Sequence, residues 1–166
     1  MPLWNAVLAA DLLVFVYPVY ALRVPAQLKA LLDHLCVHWI PHRPDRRMFT
    51  KRAVILTDSI GAPNGPAQQD VATSLHWLGV SDVRRLGFGL MEGVEWQKLS
   101  EKRRKKIEGK TVRFARRYAS FRPGHKGVRV RIYFELCRQI HKAVLKGERT
   151  PSADNRHWIE NGWIRR

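Results

Sequence analysis

The chain has 166 residues, 45% of them hydrophobic, and 30 Lys and Arg stand against 14 Asp and Glu for a formal net charge of +16. That length supports one domain with its own core, and the hydrophobic content is ordinary for a soluble globular protein rather than a low-complexity tail. The excess positive charge speaks about partners, not fold: nucleic acid, an anionic membrane surface and a phosphorylated ligand are the classes it admits.

In chain order, Trp4–Ala10 reads as the end of a helix that Met1 leaves little room to begin, and Asp11 breaks the pattern. Leu12–Tyr17 is a continuous apolar run with β-branched and aromatic residues, as in a parallel strand buried on both faces; Pro18 ends it. From Pro25 the period changes, and Leu28, Leu31, Leu32 and Leu35 mark one helical face until Pro41 and Pro44. Ala53–Thr57 is a second buried strand, running into the Gly- and Pro-rich loop Asp58–Gly65. A helix follows with Val71, Leu75 and Leu78 inward and Gly79 as its stop. Val83–Phe88 is a third strand, more charged and so expected near a sheet edge. Strands alternating with helices predict a parallel α/β sheet joined by right-handed crossovers. Trp96–Tyr118 reads as one long helix with Leu99, Ile107, Val112, Phe114 and Ala115 toward the core and a basic opposite face. Beyond Pro123-Gly124, a basic amphipathic helix is expected over Val128–Lys146, with Ile132, Phe134, Leu136, Ile140 and Val144 among its apolar positions. The reading divides the chain into residues 1–121 and a basic helical extension, 122–166.

The stretch Ala10–His34 carries a more specific signal. Ala10-Asp11, the strand Leu12–Tyr17, the turn Pro18-Val19-Tyr20, then Pro25-Ala26-Gln27-Leu28-Lys29 and Asp33 together resemble the flavodoxin-like NADPH-dependent FMN reductase family. Trp39–Pro44, Thr57–Gly65, Trp77-Leu78-Gly79 and Trp158–Trp163 look like one bacterial branch of the same proteins, so the resemblance spans nearly the whole chain. It implies a flavodoxin-like α/β sheet with flanking helices. It also implies FMN as cofactor, NAD(P)H as co-substrate, and hydride passed on to a flavin, quinone or similar acceptor. In an open parallel sheet, ligands bind outside the carboxyl ends of the strands. The expected flavin-binding residues are therefore Pro18, Val19, Tyr20, Ala21, Leu22 and Arg23 after the first strand, and Thr57, Asp58, Ser59 and Gly61 after the second. Tyr17, Tyr20 and Leu22 are expected to cover the ring, and the backbones of Val19, Tyr20, Ser59 and Gly61 to bond its edge. Arg23 has two readings, a contact to the flavin's anionic edge or a nicotinamide phosphate, and a solvated surface side chain.

Two departures from the family pattern stand out. Relatives often have a Gly in the turn where this chain has Ala21-Leu22-Arg23. Family members also begin with a strand, a phosphate-wrapping loop and a helix, and nothing before Asp11 matches that piece. The expectation is an N-terminally truncated domain with an internal start, a fragment boundary or a decayed gene as its origin, and weak FMN binding. The first strand would then present an apolar edge that another chain covers, so a homo-oligomer is expected; the resemblance implies the same.

Other constellations carry less. Cys36 and Cys137 have no zinc-ligand spacing and read as reduced thiols. His34, His38 and His42 would share a face only on one unbroken helix, and Pro41 argues against that, so no metal site is expected. No local nucleophile signature is visible, and flavin chemistry needs none, because the cofactor carries the hydride. No secretory leader is read, and the apolar run Leu12–Leu22 is too short to span a bilayer, so the expectation is a cytoplasmic chain with a membrane-peripheral role open. The basic C-terminal helices admit three readings: a solvated face, an anionic membrane contact, or phosphate contacts to nucleic acid, for which no recognised motif is present. A basic docking module and a non-functional remnant are thus the alternatives to the reductase.

Overall fold

The structure, a computed structural model, describes residues 2–91, 95–119 and 122–166. Met1 and residue 121, on which the early start and the domain boundary turned, lie outside the described residues. Three parallel strands, β1 (Leu12–Pro18), β2 (Arg52–Ser59) and β3 (Asp82–Gly89), make one sheet in the order β1-β2-β3. Their register sets Leu13 beside Ala53 and Val83, and Tyr17 beside Thr57 and Gly87. Among the described residues six helices flank them: α1 (Pro2–Ala9), α2 (Ala26–Leu35), α3 (Asn64–Trp77), α4 (Glu101–Ala115), α5 (Val128–Gly147) and α6 (Ala153–Glu160). Parallel neighbours need a crossover, and α2 and α3 supply the two.

The alternation of side chains along a strand decides where the core sits. Leu13 and Tyr17 of β1 and Ala53 and Ile55 of β2 point to one side, where Trp4 and Leu8 of α1, Leu32 and Leu35 of α2, and Val71 and Leu75 of α3 bury them. Burying each such aliphatic chain stabilises the fold by about 1.5–3 kcal/mol. The α1 helix is held down by the buried Lys51, whose Nζ donates to the carbonyls of Leu8, at 2.9 Å, and Ala10. Gly79 ends α3 at φ +102, and a Cβ there would lie 2.5 Å from the Phe49 ring. The reading of Gly79 as a stop therefore has two causes, backbone and packing.

The other side of the sheet is treated differently. Val14 and Val16 are exposed, so β1 is buried on one face and not on both as its unbroken apolar run predicted, because no element packs closely over this side of it. A trough of about 540 Å3 runs between Leu12, Val14, Val54 and Leu56 and the α4 residues Val112, Phe114 and Ala115. The expected single helix over 96–118 is broken: a 3₁₀ turn at Trp96–Lys98 precedes α4, which Ser100 caps by accepting from the Arg103 N–H with its hydroxyl, and another 3₁₀ turn follows at Arg116–Tyr118. Of its expected core positions only Leu99 is buried; Ile107 and Phe114 are half-buried, and Val112 and Ala115 are exposed. The correction has a physical reason: α4 stands off the sheet across the trough, so its apolar side chains line a gap instead of filling it. On its free side, β1 pairs with no strand among the described residues.

A second cluster forms around Trp158 of α6, with Val130, Cys137 and Leu145 of α5 and with Ile40 and Phe49 from the segment before β2. Three carbonyls of that segment receive donors from the C-terminal helices: Pro41 from His141, His42 from the Trp158 indole, and Pro44 from His157. Both cysteines are free.

Candidate functional site

All three strands end on the same side of the sheet, and their loops are tied together there. The Val19 N–H donates to the Asp58 carbonyl at 2.8 Å, joining the loops after β1 and β2. The Leu90 N–H donates to the Ser59 carbonyl at 2.7 Å, joining those after β2 and β3. The Asn64 side chain, at the start of α3, clamps the same place by donating to Ser59 Oγ at 3.0 Å and to the Phe88 carbonyl at 3.2 Å. Gly87 of β3 has to be glycine, because a Cβ there would lie 2.7 Å from Asn64.

The loop after β1 is bent in an unusual way. Tyr20 and Arg23 exchange both backbone bonds, Tyr20 N–H to the Arg23 carbonyl at 3.1 Å and Arg23 N–H to the Tyr20 carbonyl at 2.9 Å. The two residues between, Ala21 and Leu22, sit at φ +47 and +65. Positive φ at both centres is the signature of the mirror-image turn that normally takes Asn-Gly, and neither residue here is suited to it. Left-handed backbone costs an ordinary residue about 1–2 kcal/mol, and strain of this kind collects at functional sites. It holds Tyr20 and Leu22 outward, 62% and 58% exposed, and Ile60 and Met91 of the next two loops are exposed as well. Gly61 turns the second loop at φ +72, a left-handed backbone that favours glycine, and there is room for a Cβ beside Met91 Sδ, so the requirement is conformational and not steric.

The ten expected site residues thus fall on one end of the sheet, in different roles. Tyr20, Ala21 and Leu22 form the exposed turn, with Pro18 and Val19 half-buried beneath it. Arg23 reaches Asp70 of α3 at 3.1 Å. The Thr57 and Ser59 side chains are buried: Thr57 Oγ1 accepts from Gln68 at 2.8 Å, and Ser59 Oγ donates to the Ala62 carbonyl at 2.6 Å. The N–H groups of Val19 and Tyr20, expected to bond a ligand edge, already donate to Asp58 and Arg23. Tyr17, expected to cover the ring, is a core residue whose hydroxyl donates to the Ala67 carbonyl at 2.9 Å, and burial pushes its phenol pKa well up. Ile60 and Met91 were not anticipated; their signal was their place just beyond the second and third strands. His34, His38 and His42 do not share a helix: α2 ends at Leu35, His38 stacks on Trp4 at 3.8 Å, and His42 bonds Asp154 at 3.0 Å. Among the described residues no three metal-ligating side chains gather.

A family profile described as a flavodoxin-like fold matches residues 4–111. The chain belongs to this flavodoxin-like family. A curated relative of the family from Pseudomonas putida, named FMN-dependent NADH:quinone oxidoreductase 2, is 32% identical over 90 residues. That match covers 49% of this chain and 45% of the relative, so this chain spans under half of the relative's length. Among solved structures, a chain titled thermophilic tryptophan halogenase from Streptomycin violaceusniger superposes with a TM-score of 0.52 at 19% identity, covering 72% of this chain and 73% of that one. At that identity the likeness concerns the chain fold alone and says nothing of activity.

Proposed function

We propose that this chain holds the flavin ring in an FMN-dependent NAD(P)H oxidoreductase that passes electrons to a flavin, quinone or similar acceptor. The observation that carries the reading is the strained Ala21-Leu22 turn, which keeps Tyr20 and Leu22 exposed at the carboxyl end of the sheet beside the loops of Ile60 and Met91. A flat apolar ring fits a rim of that chemistry, because binding removes its exposed apolar surface from water. The name of the P. putida relative supports FMN and NADH. An apolar ring suits the exposed rim, while the N–H groups of Val19 and Tyr20 have internal partners and are not offered to a phosphate.

In this reading Tyr20 and Leu22 cover one face of the ring and exclude water from it. Pro18, Val19 and Ala21 shape the turn beneath, and Thr57, Asp58, Ser59 and Gly61 set the height of the facing loop. Arg23 fixes the turn to α3 through Asp70. When bound, FMN would supply the hydride and electron chemistry. The unit doing this is residues 1–121, with 122–166 as an extension, and a second copy at the free side of β1 would make the assembly a homo-oligomer.

The test is fluorescence quenching of FMN and of riboflavin by the purified chain and by a Tyr20→Ser/Leu22→Ser variant. Saturable quenching of both flavins, about tenfold weaker in the variant, is the expected result. Quenching that is absent, or equal in the variant, overturns the assignment. The ratio of FMN to riboflavin affinity measures separately how much phosphate recognition the chain retains.

A further inference from the structure

The α5 helix buries one face and displays another that is also apolar. Val130, Cys137, His141 and Leu145 point inward. On the outer side Val128, Ile132, Leu136, Ile140 and Val144, spaced by four, are between 49% and 73% exposed. At about 1.5 Å per residue this ridge runs about 24 Å along the helix. Helical geometry places Arg131, Lys142 and Lys146 along one flank of the ridge, together with Glu135, whose carboxylate pairs with Arg138 at 2.9 Å. At the C-terminal end the helix adjoins a cleft of about 970 Å3, which Arg138, Lys142, Lys146, Arg165 and Arg166 line over an apolar floor that includes Trp163. Glu148 is the acid at its wall, and it is engaged by the Asn155 amide at 2.7 Å.

We propose that α5 and this cleft form a docking surface for an anionic phospholipid bilayer. Charge complementarity selects the occupant. A second copy would bring a chain of net charge +16, with the same cations, against these. An anionic surface accepts the ridge and its flanking cations together, which is how basic amphipathic helices lie in a membrane interface. The ridge is convex and unbroken, a shape that enters a deformable acyl layer without needing carboxylates in register. The cleft offers cations at the level where phosphate head groups lie, each worth about fivefold in partitioning. Among the described residues no helix is long and apolar enough to cross a membrane, so the contact proposed is peripheral. The inference is independent of the flavin reading and is scored without flavin.

The experiment is co-sedimentation of the full chain with vesicles of phosphatidylcholine alone, or carrying about 30% phosphatidylglycerol, at about 0.1 M and 0.5 M salt. Binding confined to the anionic vesicles and weakened by salt is expected. Lys142→Gln/Lys146→Gln should weaken it about 30-fold, and Ile132→Ser/Leu136→Ser about tenfold. A control on the other basic helix, Lys102→Gln/Lys106→Gln, should change it less than about threefold, because no apolar ridge holds α4 at the interface. All are surface changes, and circular dichroism checks the fold; if the serine pair disturbs it, the charge pair and the α4 control decide. The proposal is overturned by absent vesicle binding, or by an α4 variant as impaired as the α5 charge variant. It is equally overturned if the serine pair folds and binds vesicles like the parent. Self-association or duplex DNA binding that the α5 substitutions abolish, with no vesicle binding, also overturns it and names the true occupant.

Discussion

The Ala21-Leu22 turn makes a prediction in which stability and binding move in opposite directions. Replacing the pair by Asn-Gly supplies the residues that a turn with two positive φ values favours. Glycine at position 22 relieves about 1–2 kcal/mol of left-handed strain but returns about 0.5–1 kcal/mol through the greater freedom of the unfolded chain. Asn at position 21 is better tolerated there than Ala, for about 0.5 kcal/mol more. Leu22 is largely exposed, so little burial is lost. Ala21→Asn/Leu22→Gly should therefore stabilise the chain by about 1 kcal/mol, or about 2–4 °C in melting temperature for a domain of this size. The same change removes the Leu22 side chain from the rim. Half of a typical leucine burial is about 1 kcal/mol, so flavin affinity should fall about fivefold. Thermal denaturation and flavin fluorescence titration read the two effects on one preparation. A lower melting temperature would refute the strain argument. A higher melting temperature with unchanged flavin affinity would refute the placement of the ring on this turn.

Two further outcomes are expected. Gly79→Ala places a Cβ 2.5 Å from the Phe49 ring in a backbone at φ +102, and should cost about 3 kcal/mol, read as a lower urea midpoint; a loss under about 1 kcal/mol would mean that Phe49 moves aside freely. Burial holds the pKa values of His38 and His76 below the ordinary 6.5. Both side chains therefore fold neutral, and acid favours the unfolded chain. Stability should be complete above pH 6.5 and decline as the pH falls below it, and a His38→Gln/His76→Gln variant should flatten that decline in urea titrations from neutral pH downward. A decline unchanged in the variant would assign it to other groups.

Much of the architecture was legible in one dimension. Leu12–Tyr17 and Ala53–Thr57 are nearly continuous apolar runs, which suit parallel strands joined by crossover helices, so the parallel sheet follows from the pattern, but the expected cover on both faces fails for β1, where Val14 and Val16 stay exposed. Gly79 and Pro18 end their elements for backbone reasons that any sequence shows. The ten expected residues lie together at one end of the sheet because loops at the carboxyl ends of parallel strands converge whatever the packing. Other features were not legible. Val112 and Ala115 have core chemistry but stand exposed beside a trough, and Tyr17 looks like a ligand cover but bonds Ala67 inside the core. In α5 two apolar faces compete, and only contact with Trp158, Phe49 and Ile40 decides that Val130, Cys137 and Leu145 go in while Ile132, Leu136 and Ile140 stay out. Periodicity counts apolar residues on a face but does not say which face meets a partner. The sequence by itself thus determined the strands, most of the helices and the end of the sheet where the strand-end loops converge, because those depend on local pattern and chain direction. The tertiary structure alone decided the strained turn, the exposed rim and the outward ridge of α5, because each depends on which of several equally apolar surfaces found another to cover it.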